Sequence, residues 1–145
     1  PFARGLIIGL TRGTGRGQIA RAALDAIALS VADVIGGLEQ ASGTRLTRMR
    51  VDGGACVNDL LMQTQADVLG IPVDRPAVLE TTALGAAMLA GLATGFYADA
   101  SAVAAAMAIE RTFEPRLDQP TRERLLTRWR DAVDRSRNWA RPAAG

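Results

Sequence analysis

Val51-Asp52-Gly53-Gly54-Ala55-Cys56-Val57-Asn58 joins a strand to a helix through two adjacent glycines, and that junction sets the fold class. Upstream, Thr47 to Val51 alternates Arg48 and Arg50 with Met49 and Val51, the period-two pattern of a strand with one face better buried than the other. Downstream, the spacing predicts a helix from about Val57 to Leu69, with Gly70 just past its end and Pro72 beyond. A strand that passes straight into a helix places backbone without side-chain bulk at the carboxyl edge of a sheet, where ligands of α/β proteins sit. Glycine lets a flat adenosine or an α-phosphate approach the main chain, and the helix N-terminus offers free N–H groups with a partial positive charge. Asn58, in the first turn, carries an amide that both donates and accepts. The same residues also read as a plain tight turn with Asn58 as a surface polar residue, because strand-Gly-Gly-helix junctions are common. Asp52 is expected to hold the turn by hydrogen bonding to backbone N–H groups.

Outward from this junction the chain alternates between strand and helix patterns. Gly5 to Leu10 is a short apolar run that reads as a strand, followed by the glycine-rich turn Arg12-Gly13-Thr14-Gly15-Arg16-Gly17. Gly13, Gly15 and Gly17 fit neither GxGxxG nor GxxxxGK[ST], which favours a flexible turn over a phosphate loop. From about Gln18 to Gln40, Ile19, Ala23, Ile27, Val31, Val34 and Leu38 recur at helical spacing, and Gly43 closes the helix. Ile71 to Val73 is a candidate short strand. A helix from about Thr82 to Ala93, capped by Thr81 or Thr82 and stopped by Gly95, carries small residues on several faces and is expected to be buried. A short Ala-rich helix near Ala100 to Met107, the apolar-polar run Ile109 to Phe113 and a C-terminal helix opened by Pro120 complete the order.

Composition removes several chemistries. The 145 residues, 48% of them hydrophobic, suffice for one core. No His and no Lys occurs, since all 17 basic residues are Arg. That excludes from this chain a Ser-His-Asp triad, a Schiff-base lysine, a His-ligated zinc and the lysine of a Walker A loop. Cys56 is alone, so there is no internal disulfide or Cys-cluster metal site, and a reducing, cytoplasmic setting fits. The uncharged run Thr81 to Ala98 is built from Ala, Gly and Thr rather than the roughly 20 strongly apolar residues of a membrane span. The start at Pro1-Phe2-Ala3-Arg4 has neither an initiator Met nor an apolar segment, which suggests a piece of a longer chain. Net charge is +2, and the densest arginines, Arg122, Arg124, Arg128, Arg130, Arg135 and Arg137, share a helical pattern with Leu125, Leu126, Trp129, Ala132 and Val133. They read as the solvated face of an amphipathic helix rather than a nucleic-acid patch.

The run Gly5-Leu6-Ile7-Ile8-Gly9-Leu10, seven residues of loop, then Gln18-Ile19-Ala20-Arg21-Ala22-Ala23-Leu24-Asp25, resembles the second signature of the FGGY carbohydrate kinases. Downstream, Val51-Asp52-Gly53-Gly54, Asn58, Leu61-Met62-Gln63, Gln65-Ala66-Asp67, Leu69-Gly70, Pro72-Val73, Arg75-Pro76, Glu80-Thr81-Thr82-Ala83-Leu84-Gly85-Ala86-Ala87 and Leu89-Ala90-Gly91-Leu92-Ala93 resemble the glycerol-phosphorylating branch of that family. The likeness covers nearly the whole chain and fades after about Pro120.

The resemblance implies an α/β fold of the actin-like ATPase type, whose two RNase H-like domains close on ATP and glycerol. This chain would be the C-terminal portion of the second, nucleotide-binding domain: a partial sheet with flanking helices, a core over about residues 1–95 and a C-terminal extension over about 96–145. It also implies that Gly54 contacts the nucleotide through its backbone and that Asn58 lies beside the adenine, with Gly53 and Ala55 as weaker neighbours in the same turn. The catalytic aspartate, the glycerol-binding residues and the loops that hold the β- and γ-phosphates with Mg²⁺ lie upstream in the family. The chain alone is therefore expected to be inactive and, with an unpaired sheet edge, to self-associate, while the parent is expected to be a homo-oligomer. Two other readings stay open: a family member acting on another polyol or a pentulose, and a non-catalytic assembly module.

Overall fold

Around the Gly53-Gly54 junction the chain builds a mixed sheet with helices packed on it, in a computed structural model that describes residues 2–140. Pro1, at the head of the expected domain, and the last five residues of the expected extension lie outside them. The first helix, α1 (Arg16–Ser42), runs two residues further at each end than the apolar spacing predicts. At its start Gln18 accepts from the Gly15 N–H at 3.0 Å, and at its end Gly43 turns left-handed at φ 67°, which frees the chain to leave the helix axis.

The strand β1 (Met49–Arg50) pairs in parallel with β2 (Val73–Pro76), Met49 opposite Val73 and Arg50 opposite Asp74. Flanking bonds from Met49 N–H to Pro72 O (2.9 Å) and Val51 N–H to Asp74 O (3.1 Å) continue the ladder. On its other side β2 pairs antiparallel with β3 (Ile109–Phe113), Phe113 opposite Val73. The register shifts between Arg75 and Pro76, where proline has no N–H to give to the ladder. Between β1 and β2 come a single 3₁₀ turn (Gly54–Val57) and α2 (Asp59–Leu69), which packs on β2 and β3 and against α1.

The inward side of α2 supplies half of the core. Leu61, Met62, Ala66 and Val68 are buried with Ala28, Cys56, Val73 and Phe113. Gln65, also buried, donates to the Ala28 carbonyl at 3.2 Å, so its amide is not left bare in the interior. Gly70 ends α2 in the left-handed region, φ 70°. Arg122 of α5 (Gln119–Ser136) reaches across that end and donates to the Leu69 carbonyl at 2.7 Å; a Cβ on Gly70 would fall 1.7 Å from the same nitrogen. A cation at the carbonyl end of a helix complements its dipole. Of the arginines expected on a solvated face, Arg122 is therefore docked, while Arg124, Arg128, Arg130, Arg135 and Arg137 are exposed. Asp118 caps α5 at the Thr121 N–H (2.9 Å), and Trp129 Nε1 donates to Asp33 of α1 at 2.6 Å.

Two expectations are corrected. Gly5–Leu10 is not a strand: its residues are exposed and lie outside the sheet, whose described strands are β1, β2 and β3. The chain before it bonds instead to the C-terminal end, Arg4 N–H to Ser136 O and Ala140 N–H to Phe2 O, and without a neighbouring strand an apolar run has no ladder to join. The helix α3 (Thr81–Ala93) is not buried either; Met88 alone among its residues is. Its bulky residues Leu84, Met88 and Leu92 share one face, of which only Met88 is buried, the alanines Ala83, Ala86, Ala87 and Ala90 are exposed, and its main helical neighbour is the short α4 (Ala100–Ala106). At its end the Tyr97 ring folds back over Gly91, where a Cβ would lie 2.7 Å from a ring carbon. No described helix is long and apolar enough to cross a membrane.

Candidate functional site

The ladder bonding of β1 ends with Val51, and the next five residues make the junction. Gly53 takes φ 81°, ψ 172°, a conformation that only glycine adopts without strain, and its N–H donates to the Leu79 carbonyl at 3.0 Å. The turn then closes through Cys56 N–H to Gly53 O (3.1 Å) and Asn58 N–H to Ala55 O (3.2 Å). Gly54, Ala55 and Asn58 are exposed, and a Cβ on Gly54 would meet no atom within 4 Å. The four residues singled out in the sequence thus share one surface at the carboxyl end of β1, and the Gly54 side of it is open.

Asn58 is the N-cap of α2. Its Oδ1 accepts from the Leu61 N–H at 3.1 Å, which commits the carbonyl half of the amide and leaves the NH₂ half to donate outward. Among the described residues no carbonyl or side chain accepts from the N–H of the exposed Gly54, which leaves that donor unpaired. Asp52 does not bond to backbone N–H groups as expected. Its carboxylate accepts from the Thr81 hydroxyl at the start of α3, and its carbonyl accepts from the Cys56 thiol at 2.8 Å. A cleft of about 190 Å³ opens beside it, walled by Val51, Pro76, Met107 and Ile109; neither Gly54 nor Asn58 lines it. A larger one, about 560 Å³, lies between α1 and α5, where Arg137 already pairs with Asp134 at 3.0 Å.

Arg75 is the buried charge at this turn to which the sequence assigned no role. Though charged, it is only 7% exposed. Its Nη1 donates to the Cys56 carbonyl at 2.9 Å and to Asp59 Oδ1 at 2.7 Å, while Nε and Nη2 grip Glu110 of β3 at 2.6 and 3.1 Å. Arg111 takes the other oxygen of Asp59, and both guanidiniums lie over the Phe113 ring, 5.3 Å from its centroid for Arg75 and 4.5 Å for Arg111.

These contacts set the acid-base character around the turn. The hydrogen bond from Arg75 holds the Asp59 carboxyl below its usual range, with Arg111 adding to it. Burial pushes Asp74 up, but the hydrogen bonds from Thr112 and Arg48, each 2.7 Å, outweigh it and the net shift is down. Burial, with the Asp52 charge behind it, pushes the Cys56 thiol up, which keeps it protonated and unreactive. Because folding lowers both carboxyls relative to the unfolded chain, they stabilise the fold fully above their unfolded value of about 4 and lose that contribution as pH falls through the folded values. The urea midpoint is accordingly expected to hold between about pH 7 and 5 and to drop below about pH 4. An Asp59→Asn chain should show a shallower drop, and a midpoint insensitive to acid in the unsubstituted chain would contradict the assignment.

Among the described residues no group of three or more Cys, Asp or Glu side chains stands ready for a metal ion, and the carboxylates nearest the turn are already committed, Asp59 to two arginines and Asp52 to Thr81.

A strand that opens through a glycine turn into a capped helix forms the carboxyl edge at which α/β domains bind ligands. The family model for the C-terminal domain of the FGGY family of carbohydrate kinases matches residues 1–94, and the chain belongs to that family. It is 55% identical over 139 residues to the glycerol kinase of Symbiobacterium thermophilum, covering 96% of this chain and 28% of the relative. It is 54% identical over its whole length to the glycerol kinase of Bordetella parapertussis, again 28% of that protein. Among solved structures it superposes on Plasmodium falciparum glycerol kinase with ADP at a TM-score of 0.84 and 31% identity, over 93% of this chain and 27% of the other. On xylulose kinase from Rhodospirillum rubrum the TM-score is 0.77 at 28% identity, over 90% and 27%. The fold is the C-terminal portion of the actin-like ATPase fold, and the chain spans little more than a quarter of the relatives it matches.

Proposed function

We propose that this chain is the adenosine-side wall of the nucleotide cleft in a longer kinase that moves the γ-phosphate of ATP to glycerol and gives glycerol 3-phosphate. The observation that carries the reading is the exposed Gly54–Asn58 surface, two unpaired donors beside an open backbone, in a chain more than half identical to glycerol kinases. Gly54 would meet the nucleotide through its main chain and Asn58 would donate to a ring nitrogen of the adenine, with Gly53 shaping the turn and Ala55 flanking it. Phosphoryl transfer rests on positioning and on neutralising charge, and Mg²⁺ with the acceptor-activating carboxylate would come from the rest of the kinase. The chain is read as one domain, and its core does not end near residue 95, because β3 and Phe113 belong to the sheet and the core and Leu126 of α5 packs against them. A cytoplasmic site of action follows from the reaction and suits the lone, protonated thiol.

The exposed apolar side chains Ile7, Ile8, Val34, Leu38, Leu89 and Phe96 mark surfaces that the rest of the kinase would cover. One experiment tests these statements together. The full-length protein carrying this chain should form glycerol 3-phosphate from ATP and glycerol in preference to phosphorylating xylulose. The 145-residue polypeptide alone should be inactive and larger than a monomer by light scattering. Turnover by the polypeptide alone, or a full-length protein that prefers the pentulose, would overturn the assignment.

A further inference from the structure

The turn that presents Gly54 and Asn58 is short of bonds of its own. Two backbone bonds close it, at 3.1 and 3.2 Å, and a single 3₁₀ turn of that kind is a weak element. Its carbonyl at Cys56 points inward, where burial without a donor would cost the turn its conformation. Arg75 supplies that donor. The same nitrogen, Nη1, also holds Asp59, the first residue of α2. One NH₂ group therefore clamps the residues on either side of the Val57–Asn58 segment and sets how far the turn stands from the helix start.

The clamp is itself held from behind. Glu110 grips the guanidinium with two oxygens from the neighbouring strand, Phe113 carries its face, and Arg111 fixes the second oxygen of Asp59. A planar fork with fixed donor directions does this; a lysine ammonium on the same strand could reach one partner but could not keep the geometry. We propose that Arg75 is a positioning residue for the nucleotide: it touches no substrate, and through the Cys56 carbonyl and Asp59 it fixes where the Gly54 backbone and the Asn58 amide stand. This rests on the reading of the turn as the adenosine wall given above.

In the full-length protein, Arg75→Met is expected to raise KM for ATP about tenfold while kcat and KM for glycerol stay within about twofold, the signature of a lost binding geometry rather than a lost chemical group. Arg75→Lys should recover part of the affinity, and Glu110→Gln, which loosens the fork from its solvent side, should weaken ATP in the same direction by a smaller factor. A fluorescent ADP analogue titrated onto each variant reads the same ordering without turnover. If Arg75→Met does not fold, the Lys and Gln variants decide the matter, and their matching the unsubstituted protein in ATP and analogue affinity would overturn the proposal. A lower apparent kcat with both KM values unchanged would also overturn it, because a merely structural arginine changes the fraction folded and not the affinity for the nucleotide. An unsubstituted protein that binds no analogue would instead sink the reading of the turn.

Discussion

Gly54→Val in the full-length protein should raise KM for ATP by at least about tenfold, or about 1.4 kcal/mol of binding, and leave folding stability within about 0.5 kcal/mol. Both halves come from the geometry at one atom. Gly54 does not sit in the left-handed region, is exposed, and has nothing within 4 Å of where a Cβ would stand, so the fold has no objection to a side chain there. A purine or ribose laid against that backbone would have one, because the added branches occupy the space the ligand needs. Gly54→Ala should fall between glycine and valine. Gly53→Ala is the contrasting case: its φ of 81° strains any L-residue, so that substitution acts by destabilising the turn, at a cost of about 1–3 kcal/mol, rather than by blocking the ligand. Kinetic titration of ATP beside a urea unfolding curve separates the two. A Gly54→Val protein with unchanged ATP affinity would remove Gly54 from the site.

How far such a site can be read from the residues depends on the range of the interactions that build it. The ends of α1 and α2 were legible because Gly43 and Gly70 mark them locally and the apolar period between is regular. The glycine turn was legible for the same reason. Strand β1 was half legible: alternation runs from Thr47 to Val51, but only Met49 and Arg50 form paired positions against β2, and pairing is a property of the partner. The run Gly5–Leu10 shows the limit, since its apolar content suits a strand and none of the described strands pairs with it. Composition misled for α3 in the opposite way, because alanine and glycine permit close packing without requiring it. Arg75 was legible only as part of the Arg75-Pro76 likeness to the family, and its role was not legible at all. Its partners Asp59, Cys56 and Glu110 stand 16, 19 and 35 residues away, and no local spacing encodes a fork that closes only when two strands and a helix start meet.

The same meeting point governs stability, and Phe113→Ala should cost the chain about 4 kcal/mol. The ring is 2% exposed, sits opposite Val73 in the ladder and closes the core that α2 lays on the sheet. Deleting it removes buried apolar surface and leaves a cavity, a combination worth about 3–5 kcal/mol for a buried phenylalanine. It also strips the support from under Arg75 and Arg111, a cation–π contribution of about 1–2 kcal/mol between a buried ring and one buried and one half-exposed arginine. Against a total stability of about 5–15 kcal/mol the loss brings the chain near its unfolding threshold, and at a urea dependence of about 2 kcal/mol/M the midpoint falls by about 2 M. Phe96→Ala is the control: that ring is 80% exposed, so its removal should shift the midpoint by no more than about 0.3 M. If Phe113→Ala cost less than about 1.5 kcal/mol, the core would have to be anchored elsewhere than at the junction of β2, β3 and α2. The arginine clamp built on that ring would then lose its physical basis as well.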